Sequence, residues 1–149
     1  GRGRCIVDAM EEGDAIERYG LPPREDELPH IRDALAEATR LEAEGEGDTT
    51  YMKELCVLLF AAGRVEDSLV VWRAKRASFD AGCSIDVQLL CGAGFDATLR
   101  YLQGLDDDDA REAYAYILRC DAAGDRGPRR AIGRLASVLP DYRRYYGLV

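Results

Sequence analysis

At 149 residues the chain holds about one domain of sequence, enough to bury roughly 70% of its unfolded surface without a disulfide or metal staple. It is 47% apolar and 32% charged, which argues against a disordered chain, and its 8% aromatic content beside abundant alanine and leucine favours helices over sheets. The net charge of −8, from 28 acids and 20 bases, opposes general binding to a phosphate backbone.

In chain order, residues 5–19 are amphipathic with little regularity, and Leu21-Pro22-Pro23 reads as a linker. Ile31, Ala34, Leu35 and Ala38 recur at helical spacing behind Pro29, a residue suited to a first turn, and predict a helix over 30–43. The acidic stretch Glu44-Gly45-Glu46-Gly47-Asp48 reads as a second linker. Met52, Leu55, Cys56 and Leu59 then predict a helix over 50–62 with Thr49 or Thr50 as its N-cap, followed by one over 65–78. Phe95, Thr98, Leu99 and Leu102 predict 95–103. Ala110, Ala113, Tyr114, Ile117 and Leu118 predict 108–121. Ile132, Leu135, Ala136 and Leu139 predict 129–139, where Pro140 is expected to stop the helix. The longest apolar run, Leu55 to Ala62, is far short of the ~20 residues that span a bilayer.

An internal repeat is the most informative pattern. Ala61-Ala62-Gly63, Gly92-Ala93-Gly94 and Ala122-Ala123-Gly124 recur at spacings of 31 and 30 residues. Leu58-Leu59 and Leu89-Leu90 precede the first two, and Glu66-Asp67-Ser68-Leu69 and Asp96-Ala97-Thr98-Leu99 follow them. Each unit reads as helix, glycine turn, helix, with the glycine in a left-handed helix end and an acid in the next first turn. A period of this length marks stacked helical repeats. Residues 51–75 resemble a tetratricopeptide-type hairpin. Met52, Leu55, Cys56 and Leu59 match its first-helix core, Gly63 its turn, Ser68 its small crossing residue and Trp72 its second-helix aromatic. The resemblance implies an all-α stack of antiparallel helical hairpins, an α-solenoid, whose usual work is binding a peptide or another protein.

The expected organisation is a single helical-repeat domain over 1–149, with 126–149 a basic C-terminal helix and tail. That segment carries six arginines against Asp141, a net of +5, so the remainder carries −13. The start at Gly1, without Met, fits a piece of a longer chain. Only Lys53 and Lys75 stand against 18 arginines, a bias that fits a bacterial source. Cys5, Cys56, Cys83, Cys91 and Cys120 are odd in number, widely spaced and form no CxxC pair. They read as reduced, structural thiols, which places the expected location in the cytoplasm.

Several residues invite chemistry. Asp106-Asp107-Asp108-Asp109 suggests calcium, yet the twelfth position of an EF-hand loop counted from Asp106 is Ile117. The run reads instead as a solvated turn that caps the next helix. His30 is the sole histidine and reads as a surface residue, which removes any mechanism needing two imidazoles. Cys91-Gly92-Ala93-Gly94-Phe95 fits no phosphate-loop pattern. No metal or cofactor is expected.

A denser polar group comprises Trp72-Arg73-Ala74-Lys75-Arg76 with Asp80, Asp86 and Gln88. It reads either as salt bridging across adjacent hairpins or as a polar binding face, for which Arg73, Arg76, Asp86 and Gln88 are the candidates. Arg143, Arg144 and Tyr145 add a second candidate surface, since arginine and tyrosine are enriched at interface hot spots. The −13 body is expected to attract this tail, docking it on acidic helices of this chain or of a second copy in a homodimer. The favoured expectation is a non-enzymatic protein–protein interaction module, such as a bacterial immunity or regulatory adaptor, whose partner is a protein or peptide. The alternatives are an enzyme using Asp/Glu or Cys chemistry in a helical cavity and a nucleic-acid binder acting through the basic C-terminal segment; neither a nucleic-acid nor a membrane partner is favoured.

Overall fold

The computed structural model describes residues 11–123 and 135–148, and among these it contains helices and no strand. The helices are α1 (Asp14–Tyr19), α2 (Leu28–Ala43), α3 (Thr49–Ala62), α4 (Asp67–Lys75), α5 (Phe79–Ser84), α6 (Phe95–Gln103), α7 (Asp108–Ala122) and α8 (Leu135–Tyr145). Short 3-10 turns occupy Glu25–Glu27 and Val87–Cys91. No helix among the described residues is long and apolar enough to cross a membrane.

The core is organised around α3. Met52 and every residue from Glu54 to Phe60 are buried, so this helix is covered on all sides, as its nearly unbroken apolar run demands. Helices α1, α2, α4, α5 and the Val87–Cys91 turn pack around it. Helix α2 faces it with Leu28, Ile31, Leu35 and Ala38, and Pro29 lies in the α2 first turn. Helix α6 lays Phe95, Thr98 and Leu102 toward α7, which answers with Ala110, Ala113 and Ile117. The N-cap of α3 is Asp48, one residue before the threonines expected in that role. Its Oδ1 accepts the N–H groups of Thr50 at 3.0 Å and Tyr51 at 3.2 Å, leaving both threonines inside the helix.

One buried carboxylate fastens the first helix. Glu54 of α3 accepts the N–H groups of Gly13 (2.7 Å), Ala15 (3.0 Å) and Ile16 (3.4 Å), so a side chain distant in sequence caps α1. Leu21, in the expected linker, is buried in the core.

The repeated glycines do two different jobs. Gly63 ends α3 at φ +73°, as the repeat predicts. Its counterpart 31 residues on, Gly94, is also at positive φ, +103°, but stands before α6 as its N-cap, while Gly92, aligned with Ala61, sits at φ −58° and ends a 3-10 turn. A Cβ there would lie 2.8 Å from the Phe60 carbonyl oxygen, so this glycine permits close backbone approach. The helix expected in this second unit is correspondingly broken into α5 and the Val87–Cys91 turn. Gly124 and the predicted helix residues 129–134 lie outside the described residues.

Helix α8 runs through Pro140 instead of stopping there. Proline removes its own N–H bond to the carbonyl four residues earlier and crowds that carbonyl with its ring, a local cost that packing must offset. Packing holds the segment on both sides of it: Val138 and Leu139 before the proline, and Tyr142, Tyr146 and Leu148 after it, meet the core. Tyr142 Oη donates to Asp86 Oδ2 at 2.5 Å, and Arg143 Nη1 donates to the Leu21 carbonyl.

Candidate functional site

The candidate residues divide between two surfaces. On the first, α4 and α7 lie side by side and Arg73 and Arg76 reach across. Arg73 Nε meets Asp109 Oδ2 at 2.9 Å, with Asp107 Oδ2 at 3.9 Å, and Arg76 Nη1 meets Glu112 Oε1 at 2.5 Å. The expected salt bridging between helices is therefore present, with α7 acids as partners in place of Asp80 and Asp86. These side chains are about half exposed, so each pair adds little stability. The Asp106–Asp109 run serves as the expected cap, with Asp107 accepting the Ala110 N–H at 2.9 Å. Among the described residues, no group of three or more His, Cys, Asp or Glu is placed to hold a metal ion.

Asp86 and Gln88 lie on the second surface, where with Lys53, Val138, Asp141, Tyr142 and Tyr145 they line a cavity of about 410 Å³. Asp86 is engaged there by Tyr142 and by Lys53 Nζ at 3.9 Å. Burial, followed by the Asp86 hydrogen bond, pushes the Tyr142 phenol well above its ordinary value. Arg144 pairs with Asp141 within its own helix, and Tyr145 Oη donates to Glu12 Oε2 at 2.5 Å. The tail candidates Arg143, Arg144 and Tyr145 thus make contacts within this chain: Arg143 with the Leu21 carbonyl, Arg144 with Asp141 of its own helix and Tyr145 with Glu12.

A further concavity lies between α4, α5 and α7, with a volume of about 730 Å³. Its floor is a pair of rings, Trp72 and Tyr116, with centroids 5.2 Å apart and planes tilted by 47°. Trp72 is 3% exposed, consistent with the core role expected of it. Arg76 and Arg119 place their guanidinium carbons 5.4 and 5.7 Å from the Trp72 and Tyr116 ring centres. Phe79 stands at the rim, 84% exposed, the most exposed of the large apolar side chains among the described residues.

Its position is set by the backbone. Ser78 Oγ accepts the Ala81 N–H at 3.0 Å as the α5 N-cap and donates to Glu42 Oε2 at 2.6 Å. This hydroxyl therefore anchors the helix start that carries Phe79 outward.

Lys75 lies beneath the same concavity, only 7% exposed. Its ammonium donates to the carbonyls of Gly82, at 2.6 Å, and Ile85, and sits 5.6 Å from the Tyr116 ring centre. Burial holds its pKa below the ordinary lysine value. The group thus closes the chain around α5 and supports the pocket from below.

The free thiols offer little nucleophilic chemistry where they are buried. Cys56 and Cys91 are buried, and burial pushes both thiols up, Cys91 to about 12. A thiol so raised stays protonated near neutral pH, whereas nucleophilic cysteines need a thiolate. His30 is exposed, 3.8 Å from Glu27.

Phe79, Tyr116 and Arg119 escaped the sequence reading. A signal existed for Phe79: an aromatic directly after a serine N-cap, outside any apolar period, is a residue that the core does not claim. Tyr116 and Arg119, three residues apart on α7, were concealed by the clean apolar stripe beside them. In class, the chain is an all-helical protein of packed helices, compatible with a helical repeat. Comparison with family models, with curated proteins and with solved structures finds no match.

Proposed function

We propose that the chain is a non-enzymatic protein–protein interaction module, a short stack of helical hairpins of tetratricopeptide type that presents the α4–α5–α7 pocket to a partner. One observation carries this reading: Phe79 stands 84% exposed at the rim of an open concavity, on a helix whose start is fixed by Ser78. A large aromatic held in water by an ordered backbone beside tryptophan, tyrosine and arginine has the composition of an interface hot spot. A narrower use, as an immunity or regulatory adaptor that masks a basic surface, is supported by the net charge of −8 and the Asp106–Asp109 run.

The test is co-purification from the native cells with the tagged chain and with Phe79→Ser, whose melting temperature is checked first. At least one protein retained by the wild type and lost by the variant is expected. Identical sets of retained proteins would overturn the reading.

A further inference from the structure

We propose that the α4–α5–α7 pocket binds an extended peptide segment bearing a large apolar side chain beside one or two carboxylates. This rests on the interaction reading above and adds the chemistry of the partner. Lys75, Arg76 and Arg119 line the pocket against a single acid, Glu112, in a chain whose net charge is −8. Arg76 is engaged by Glu112 and Lys75 by two carbonyls, whereas Arg119 has no ion pair among the described residues. A carboxylate arriving at Arg119 would meet an uncompensated guanidinium in a two-point geometry that arginine favours.

The rings narrow the choice further. Trp72, Tyr116 and Phe79 would suit a quaternary ammonium ligand if their faces were free. Here Arg76 lies over Trp72, and both Arg119 and Lys75 lie over Tyr116. A cationic ligand would be repelled at each approach, while an apolar side chain can rest against Phe79 and the ring edges.

Two features favour a peptide over a nucleic acid. The α7 helix beside the pocket begins with Asp108 and Asp109, preceded by Asp106 and Asp107. That field tolerates one or two carboxylates seated on Arg119 and disfavours a string of phosphates. Lys75, Gly82, Cys83 and Tyr116 line both this pocket and a neighbouring cavity of about 430 Å³ that reaches Asp86 and Gln88. Two adjoining cavities of this kind suit an extended chain. A partner with a basic surface and one acidic, aromatic anchor would satisfy both the acidic body and the basic pocket.

Trp72 is the only tryptophan and lines the pocket, so its emission reports occupancy directly. The full chain is titrated with four probes: a blocked ten-residue peptide with a central Phe between two Glu, the same peptide with Lys for Glu, the same with Ala for Phe, and a ten-nucleotide oligouridylate. The Glu–Phe peptide is expected to shift Trp72 emission at least about tenfold more tightly than the Lys or Ala peptide, with a preference that weakens in high salt. Arg119→Glu, an exposed position, should reverse the preference between the Glu and Lys peptides, a result that mere loss of folding would not produce.

Equal binding of the Glu and Lys peptides, or no shift with the Glu–Phe peptide below about 1 mM, overturns the proposal. Tighter binding of the oligouridylate overturns it in favour of a nucleic acid. If the proposal falls while Phe79→Ser still loses a co-purifying partner, the interaction reading stands without it.

Discussion

Asp67, the first residue of α4, grips Arg32 of α2 at two points, Nε to Oδ1 at 2.7 Å and Nη2 to Oδ2 at 3.0 Å. The Asp67 side chain is 4% exposed and that of Arg32 is 30% exposed, so the pair joins a buried acid to a cation that still reaches water. It sets the packing of α4 against α2 and so fixes the helix that carries Trp72 and Arg76. Asp67→Ala should lower stability by about 1.5–3 kcal/mol, the range for hydrogen bonds to charged groups. Asp67→Asn, which keeps the volume and one acceptor, should cost less. Urea unfolding with an unchanged m-value checks both, and a loss for Asp67→Ala no larger than an exposed surface pair would reduce the contact to decoration.

Gly63 and Gly92 belong to successive copies of the repeat, where Gly94 aligns with Gly63 and Gly92 with Ala61, and the two meet in space: a Cβ on Gly63 would lie 3.5 Å from the Gly92 carbonyl oxygen. At Gly63 the demand is conformational, φ +73°, so Gly63→Val should cost at least about 1 kcal/mol. At Gly92 the demand is spatial. Gly92→Ala drives a methyl against the backbone of Phe60 and should cost about 1–3 kcal/mol, as overpacking does. Gly104→Ala, at φ −77° with its nearest neighbour at 3.4 Å, is the control and should change little. If Gly92→Ala melts with the wild type, the close approach is not a constraint.

These glycines show how much of the fold was legible. Helical period and punctuation placed α2, α3, α4, α6 and α7 within a few residues, because their apolar stripes face one core. The repeat reads as one device used three times, yet Gly63 ends α3 in the left-handed region whereas its counterpart Gly94, also at positive φ, starts α6, and spacing alone does not reveal the close approach at Gly92. Pro140 was read through local propensity, which tertiary packing of Tyr142 and Tyr146 overrides. Arg76 was found at the pocket, but Phe79 and Arg119 were not. A pocket is assembled from helices distant in sequence, and its rim is defined by which residues the core leaves out.

Glu54 supplies a pH test. Burial pushes its carboxyl above the ordinary 4.5, the N–H groups of Gly13, Ile16 and Ala15 pull it down, and the nearby Asp14 charge raises it; burial prevails. With the folded value above the unfolded one, the native state holds the proton more tightly between the two. The stabilisation from this group is therefore complete below 4.5 and is lost as pH rises through the folded value. Glu54→Gln keeps an acceptor for the α1 amides and removes the titration. The stability difference, wild type minus variant, should fall with pH in the interval above 4.5 and then level off. Urea midpoints measured from about pH 4 to 7 decide the matter. A difference that grows with pH would show that the three amide donors outweigh burial.

The C-terminal helix gives the last prediction. The tail was expected to dock through charge, but its contacts divide otherwise. Among the described residues Arg144 pairs with Asp141 of its own helix, and Tyr145 is 62% exposed, so these residues contribute little to docking. Tyr142 is half-buried, donates to Asp86 at 2.5 Å, stacks toward Tyr146 with ring centres 6.5 Å apart, and lies 5.7 Å from the Lys53 ammonium. Apolar burial with one strong hydrogen bond should therefore hold α8, and neither is screened as exposed ion pairs are. Tyr142→Ala should cost about 2–3 kcal/mol, Tyr142→Phe about 1 kcal/mol for the lost hydrogen bond, and Arg144→Ala should leave the melting temperature unchanged. Deleting 141–149 should lower the melting temperature by at least as much as Tyr142→Ala, and the drop should be nearly the same in about 0.1 and 1 M salt. A drop that vanishes in high salt would restore charge as the force that holds the tail. A truncated chain that melts with the wild type would mean that α8 is not docked in solution.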